Sequence, residues 1–341
     1  MQILRNAATA AVLGLALAGA SSSAWAADYT LRIQTHLSAE SLNGKNAQQF
    51  ADDVERMSGG RIDIEMFYSG SVVKSTETFD AAANGVLDGD MTGGAYQTGK
   101  NPAFQFLGDI MGGYETPWQQ YSWLYYGGGM EKAQKLYNSY GMQLIGWWIP
   151  GQESLSSSKP LPGPAALKDW KFRSPPGMET EIFAELGASP IVMDFGEVFS
   201  ALETKIIDGA DASNVTTNKS IGIYDLVKHA TYPGFHSMPS DHLAINKDVW
   251  DDLPDDLKAI VEVAMQKLSF HNSMSFEVAM GKTATEIQKE GVTLYNWSQK
   301  DREEFRNFAQ KKWQEWGDKS PEARELVDSH VSFMKEIGLL K

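Results

Sequence analysis

Between Tyr29 and Asp90 the hydrophobic period of the chain switches repeatedly, and this restricts the fold more than any other feature. Tyr29 to Thr35 alternates apolar and polar side chains as a strand does. Ser41 to Ser58 carries apolar and small residues at helical spacing, and Arg61 to Tyr68 alternates again through Ile62, Ile64 and Met66. Thr76 to Asn84 is a further helix with Phe79, Ala82 and Ala83 on one side, closed by Gly85 and followed by Val86-Leu87-Asp88-Gly89-Asp90-Met91. This order predicts a mainly parallel sheet with helices on both faces. The pattern returns about 120 positions later as a helix, Glu197 to Thr204, then Lys205-Ile206-Ile207-Asp208-Gly209-Ala210-Asp211. Such spacing suits two domains of one topology. Chance recurrence of a common Asp-Gly turn is the competing reading.

Inside the second unit, Trp170 to Arg173 alternates large apolar with basic residues, a short strand that Pro175, Pro176 and Gly177 stop. A helix from Glu179 to Leu186 follows. An arginine at a strand's carboxyl end beside a helix amino terminus can hold a carboxylate or phosphate. An arginine paired with a surface acid is the plainer alternative.

Arg5, the apolar run Ala7 to Ala20 and Ala24-Trp25-Ala26 read as an export signal (residues 1–26) cleaved before Ala27. The apolar run is short for a membrane span, and no second one follows. The net charge of −14 becomes more negative by one when Arg5 leaves, which argues against nucleic acid as a partner. The chain has no cysteine, so an exported form is held by a packed core and not by disulfides, and the periplasm is the compartment that fits.

Tyr96, Phe104, Phe106, Tyr114, Trp118, Tyr121, Trp123, Tyr125 and Tyr126 precede Gly127-Gly128-Gly129; most of these rings are expected in the core and a minority on a cleft. Met142 to Ile149 and Leu243 to Asn246 are candidate strands crossing between domains. Ser213 to Ser220 reads as a polar loop. Pro254 opens a long helix running toward Glu290, and Ser298 to Leu340 holds two more, with Phe305, Phe308, Trp313 and Trp316 on apolar faces. The expected division is 27–145 plus 232–256 for domain I and 146–231 plus 257–341 for domain II.

No cysteine nucleophile, G-x-S-x-G, P-loop or strand-linked G-x-G-x-x-G is present. His36, His229, His236, His242, His271 and His330 lack metal-motif spacing and are expected on loops or the surface. Acid pairs suited to glycoside hydrolysis exist in any acidic chain, and nothing marks one out. An exported two-domain binder is therefore favoured over an enzyme.

Several stretches carry a family likeness in order along the chain: Phe79-Asp80-Ala81 to Gly85 and Asp88, Gly99-Lys100-Asn101-Pro102-Ala103, Tyr126-Gly127-Gly128-Gly129, Leu167-Lys168-Asp169-Trp170-Lys171-Phe172-Arg173, Ala201-Leu202 to Ile207-Asp208-Gly209, Pro233-Gly234-Phe235-His236 and Leu253-Pro254. In these the sequence resembles the TRAP transporter solute-binding proteins (DctP-like family), and among them most the branch that binds 2-oxo acids. The resemblance implies an α/β fold of the two-domain periplasmic solute-binding type, with crossover strands, a long hinge helix and C-terminal helices. It implies a receptor that closes on a small organic carboxylate and passes it to membrane permease subunits.

The family's carboxylate-binding arginine falls on Arg173. The resemblance places Gln152 and Asp211 in the site, where they can hold a monovalent or divalent cation with the anion, and no other cofactor is implied. It brings in Tyr96 as a contact from the other domain and His236 from the Pro-Gly-aromatic-His turn. Where the family usually has Glu followed by Asn or an aromatic, this chain has Asp211 and Ala212. This departure implies a changed ligand, with Asn214 as a substitute donor. The chain is expected as a monomer or as a homodimer through its C-terminal helices, and the alternative function is an exported hydrolase of carboxylate-containing molecules.

Overall fold

The computed structural model describes residues 27–340; the expected export signal lies outside them. Eleven strands occur among the described residues: β1 (Tyr29–Thr35), β2 (Ile62–Phe67), β3 (Gly89–Met91), β4 (Met142–Trp148), β5 (Ser154–Ser157), β6 (Lys171–Ser174), β7 (Ser189–Val192), β8 (Gly209–Ser213), β9 (His229–Thr231), β10 (Asp241–Asn246) and β11 (Thr293–Tyr295). They form one sheet of order β2-β1-β3-β10-β4 and another of order β11-β9-β5-β8-β6-β7.

The two sheets repeat one arrangement. β1 lies between β2 and β3, parallel to both, and β6 lies between β7 and β8, parallel to both. Each Asp-Gly pair starts the third strand of its trio and is bonded to the first. Asp88 N–H donates to Arg32 O while its carboxylate accepts from Arg32 N–H, and Asp208 N–H donates to Lys171 O while its carboxylate accepts from Lys171 N–H. The recurrence is thus a structural repeat. Gly209 is obligatory for packing, because a Cβ there meets Ser156 O at 2.4 Å and Trp170 at 2.5 Å. The parallel trios follow the expected order, and the sheets are mixed because β10 runs antiparallel to β3 and β4, and β5 antiparallel to β8 and β9.

β4 and β10 are neighbours in the first sheet, so the crossings are made by the short segments after β4 and before β10. Trp147 and Trp148, consecutive in β4, point to opposite faces and enter separate cores. The core containing Trp147 continues through Trp170 and Phe172 of the second sheet and Phe305 and Trp313 of the C-terminal helices. Each such fully buried apolar side chain stabilises the fold by roughly 1.5–3 kcal/mol.

The helix Asp255–Lys289 opens after Pro254 with two acids in its first turn and ends with Lys289, both suited to the helix dipole. It packs on β4 and helix Leu42–Ser58 at one end and on helix Val215–Ser220 and β11 at the other, so it spans both sheets. Helices Gln299–Gly317 and Pro321–Glu336 bury Phe305, Trp313 and Trp316 within this chain, and Trp313 Nε1 donates to Met111 O. These three side chains are covered by their own fold, while Phe308 is half-buried. Among the described residues no helix is long and apolar enough to cross a membrane.

Candidate functional site

A cavity lies between the sheets, with His36, Gly93, Tyr96, Gln105, Asp109 and Asp241 on one wall and Glu153, Arg173, Glu179, Phe195 and Ser213 on the other. Arg173 reaches it because the strand alternation of β6 turns Phe172 into the core and Arg173 the opposite way. Its side chain is 2% exposed. Nε donates to Met193 O at 3.3 Å, Nη1 donates to Asp211 O at 2.6 Å, and Nη2 is buried with no partner. Gln34 on β1 bonds Val73 O from the corresponding place in the other sheet, so an arginine here is a change of chemistry on a repeated scaffold.

One N–H of the helix amino terminus beside Arg173 is already engaged. Met178 N–H donates to Gln105 Oε1 at 2.9 Å, across from the other wall. Gly177 permits this approach: its φ is +115°, and a Cβ would stand 2.4 Å from Gln105 Oε1.

Around the guanidinium is a group of buried acids. Burial, then the charge of Asp211, pushes Glu153 and Glu179 well above the usual carboxylate range. Asp211 goes the other way. Burial opposes its charge, but His236, whose Nε2 lies 2.8 Å from Asp211 Oδ2, together with Glu179 and Arg173, holds it below the usual range. Asp109 is raised to about 7 by burial and accepts from Ser237 Oγ, which also donates to Glu153. The Tyr96 phenol is raised to about 12 by burial, with Arg173 opposing.

Of the residues expected in the site, Arg173 and Tyr96 line the cavity, and Asp211 and His236 sit directly behind it as a buried pair. Gln152 is elsewhere. Its Nε2 donates to Tyr114 O, and it lines a separate cavity with Arg302 and Arg306. The next residue, Glu153, faces the site instead, because successive side chains of an extended segment point oppositely. Asn214 caps a helix through its Oδ1, which accepts from Thr216 and Thr217 N–H, so the expected polar loop is in fact helix Val215–Ser220; its Nδ2 is buried without a partner, outside the residues that line the cavity. Four of the six histidines, His36, His236, His242 and His330, are buried, against the surface expectation.

Glu153, Asp211 and His236 offer ligand atoms within 4.8 Å of one another, a grouping drawn from three segments that no local spacing reveals. Asp211 Oδ1 is buried without a partner, which fits a cation-holding group. The sequence reading also missed Glu179, Asp109, His36 and Asp241, none of which stands in a motif.

The family model of bacterial extracellular solute-binding protein, family 7, matches residues 33–320. The chain belongs to this family, that of the TRAP solute-binding receptors. A TRAP periplasmic solute-binding protein from Rhodobacter sphaeroides, solved in an apo open form, is 32% identical, with TM-score 0.72 over 91% of this chain and 99% of that one. One from Pseudoalteromonas atlantica, solved with bound sodium and pyruvate, is 25% identical, with TM-score 0.82 over 91% and 94%. A monocarboxylate 2-oxoacid-binding periplasmic protein of Nostoc sp. is 26% identical over 302 residues, 85% of this chain and 80% of the relative. Family and fold are those of solute-binding receptors, and the hydrolase alternative gains no support from them.

Proposed function

We propose that this TRAP receptor works in the periplasm as a monomer, capturing a small organic carboxylate between its two sheets and releasing it unchanged to a membrane permease. The observation that carries this reading is Arg173 Nη2, a charged donor buried without a partner in the cavity. A desolvated, unpaired guanidinium edge is costly unless an anion fills its place. Tyr96 reaches the same place from the other wall. The cavity, about 80 Å³ where about 10–15 Å³ holds one water, suits an acid of only a few carbons.

The lobes are assigned as 27–145 plus 232–256 and 146–231 plus 257–341, with closure about the crossing segments and the long helix. Asp194 of the second lobe accepts from Ser75 N–H at 3.0 Å in the first, a clasp suited to a closed form. The higher TM-score with the pyruvate-bound relative than with the more identical apo open one supports the same state.

A sodium or calcium ion, which takes oxygen ligands, would be held by the carboxylates of Glu153 and Asp211, with His236 fixing Asp211 through its 2.8 Å contact, and would supply positive charge beside the anion. A thermal-shift panel of small acids, with and without calcium, tests the reading. Stabilisation by at least one carboxylate is expected, and a panel with no hit, checked by calorimetry, overturns it. Light scattering is expected to give the mass of one chain.

A further inference from the structure

We propose that Asp241 is the second pole of this site, and that the ligand is a small zwitterion whose carboxylate meets Arg173 and whose ammonium nitrogen meets Asp241. This rests on the carboxylate reading of Arg173 and names the class of acid.

Asp241 opens β10 in the first sheet, is 8% exposed and lines the cavity. Among the described residues none donates a hydrogen bond to its carboxylate, and its ion-pair neighbour is His36 Nε2 at 3.9 Å, too far for a bond. His36 does not neutralise it: burial, then Arg173, lowers the imidazole to about 3, and its Nδ1 is buried without a partner. The other acids nearby are engaged. Asp90 is paired with His242 Nε2 at 2.8 Å, and Asp109 and Glu153 share the Ser237 hydroxyl. Gly93 leaves room at Asp241, since a Cβ there would stand 3.0 Å from Oδ1.

The two walls thus present opposite unmet needs. The second sheet offers N–H donors at Arg173, and the first offers acceptors at Asp241 and His36. Burial, then the charge of Asp90, raises Asp241 to about 8 in the empty site, so an arriving ammonium is the group that draws off its proton and holds it as a carboxylate, whereas a second anion in that place keeps it protonated and gains no ion pair. An ammonium carboxylate satisfies both walls, and only when the lobes are together, so recognition of both ends drives closure. A neutral Asp241 carboxyl donating to an oxo group is the rival arrangement, and an asparagine could imitate it.

The test compares matched acids that differ by the amine: β-alanine against propionate, and 4-aminobutyrate against butyrate, with pyruvate and malonate alongside. Calorimetry is run on wild type and Asp241→Asn in EDTA and then in calcium. In wild type the amine is expected to tighten binding about 10- to 100-fold, and in Asp241→Asn that ratio falls to about one. The wild-type comparison needs no variant, so it stands even if Asp241→Asn does not fold. The proposal is overturned if propionate or butyrate binds as tightly as its amino counterpart, if pyruvate or malonate binds as tightly as the better of the two amino acids, or if Asp241→Asn weakens both members of a pair equally. Binding by none of these acids would instead remove the carboxylate reading itself, and this inference with it.

Discussion

Replacing Arg173 with lysine separates the geometry of the guanidinium from its charge. In the structure two backbone carbonyls, Met193 O and Asp211 O, fix the group through Nε and Nη1 and leave Nη2 facing the cavity. A lysine keeps the positive charge, but one ammonium cannot be held by both carbonyls and still present a fixed planar edge. Loss of a charge-assisted hydrogen bond costs about 1.5–3 kcal/mol, which is roughly 10- to 150-fold in Kd. Alanine also removes the charge, costing about 2–5 kcal/mol, roughly 30- to 5000-fold. Because Arg173 helps hold Asp211 ionised, the alanine variant should also melt earlier without ligand. The assay is therefore calorimetry with the tightest acid of the panel, paired with thermal melting of the empty proteins. A folded Arg173→Lys protein that binds within about twofold of wild type would refute the reasoning and leave Arg173 a structural residue.

Other consequences are equally direct. Asp194→Ala removes the clasp to Ser75 and is expected to weaken binding roughly tenfold and enlarge the ligand-bound scattering profile; an unchanged profile excludes the clasp. Gly209→Ala drives a Cβ into Ser156 O and Trp170 and should cost about 1–3 kcal/mol in denaturant melts, whereas a neutral change would mean the strand can shift. His330 stacks on Trp123 at 3.5 Å between centroids, with its ring nitrogens bonded to Phe106 O and the Tyr114 hydroxyl, and burial lowers it to about 3. Below about pH 6.5 the unfolded chain binds a proton that the folded one does not. Its stabilising contribution is complete above that value and falls toward pH 3, by about 2 kcal/mol between pH 7 and 5. His330→Gln should flatten that slope in denaturant titrations, and an unchanged slope would assign the acid sensitivity elsewhere.

Much of the fold was legible in the chain because it is written in local periodicity. The strand pattern at Tyr29–Thr35, the helix opened by Pro254 and the two Asp-Gly repeats each depend on neighbours a few residues away, and each appears where the pattern put it. Arg173 was legible for the same reason, since alternation within β6 sets it opposite Phe172. The turn of Gln152 away from the cavity and the helix that Asn214 caps were not legible, because single-residue alternation in an extended segment sets the one and a helix starting at Val215 the other, neither visible as a motif.

The sequence by itself determined two α/β units, an arginine at a strand end and an excess of acids, since period and composition are properties of the chain alone. Only the tertiary structure decided which acids matter. Glu179, Glu153 and Asp211 come from three separate segments around one guanidinium, and Asp241 stands across the cavity from it only because two sheets are brought together there. There burial removes the water that would otherwise screen them, so their charges and unmet hydrogen bonds become the chemistry of the site.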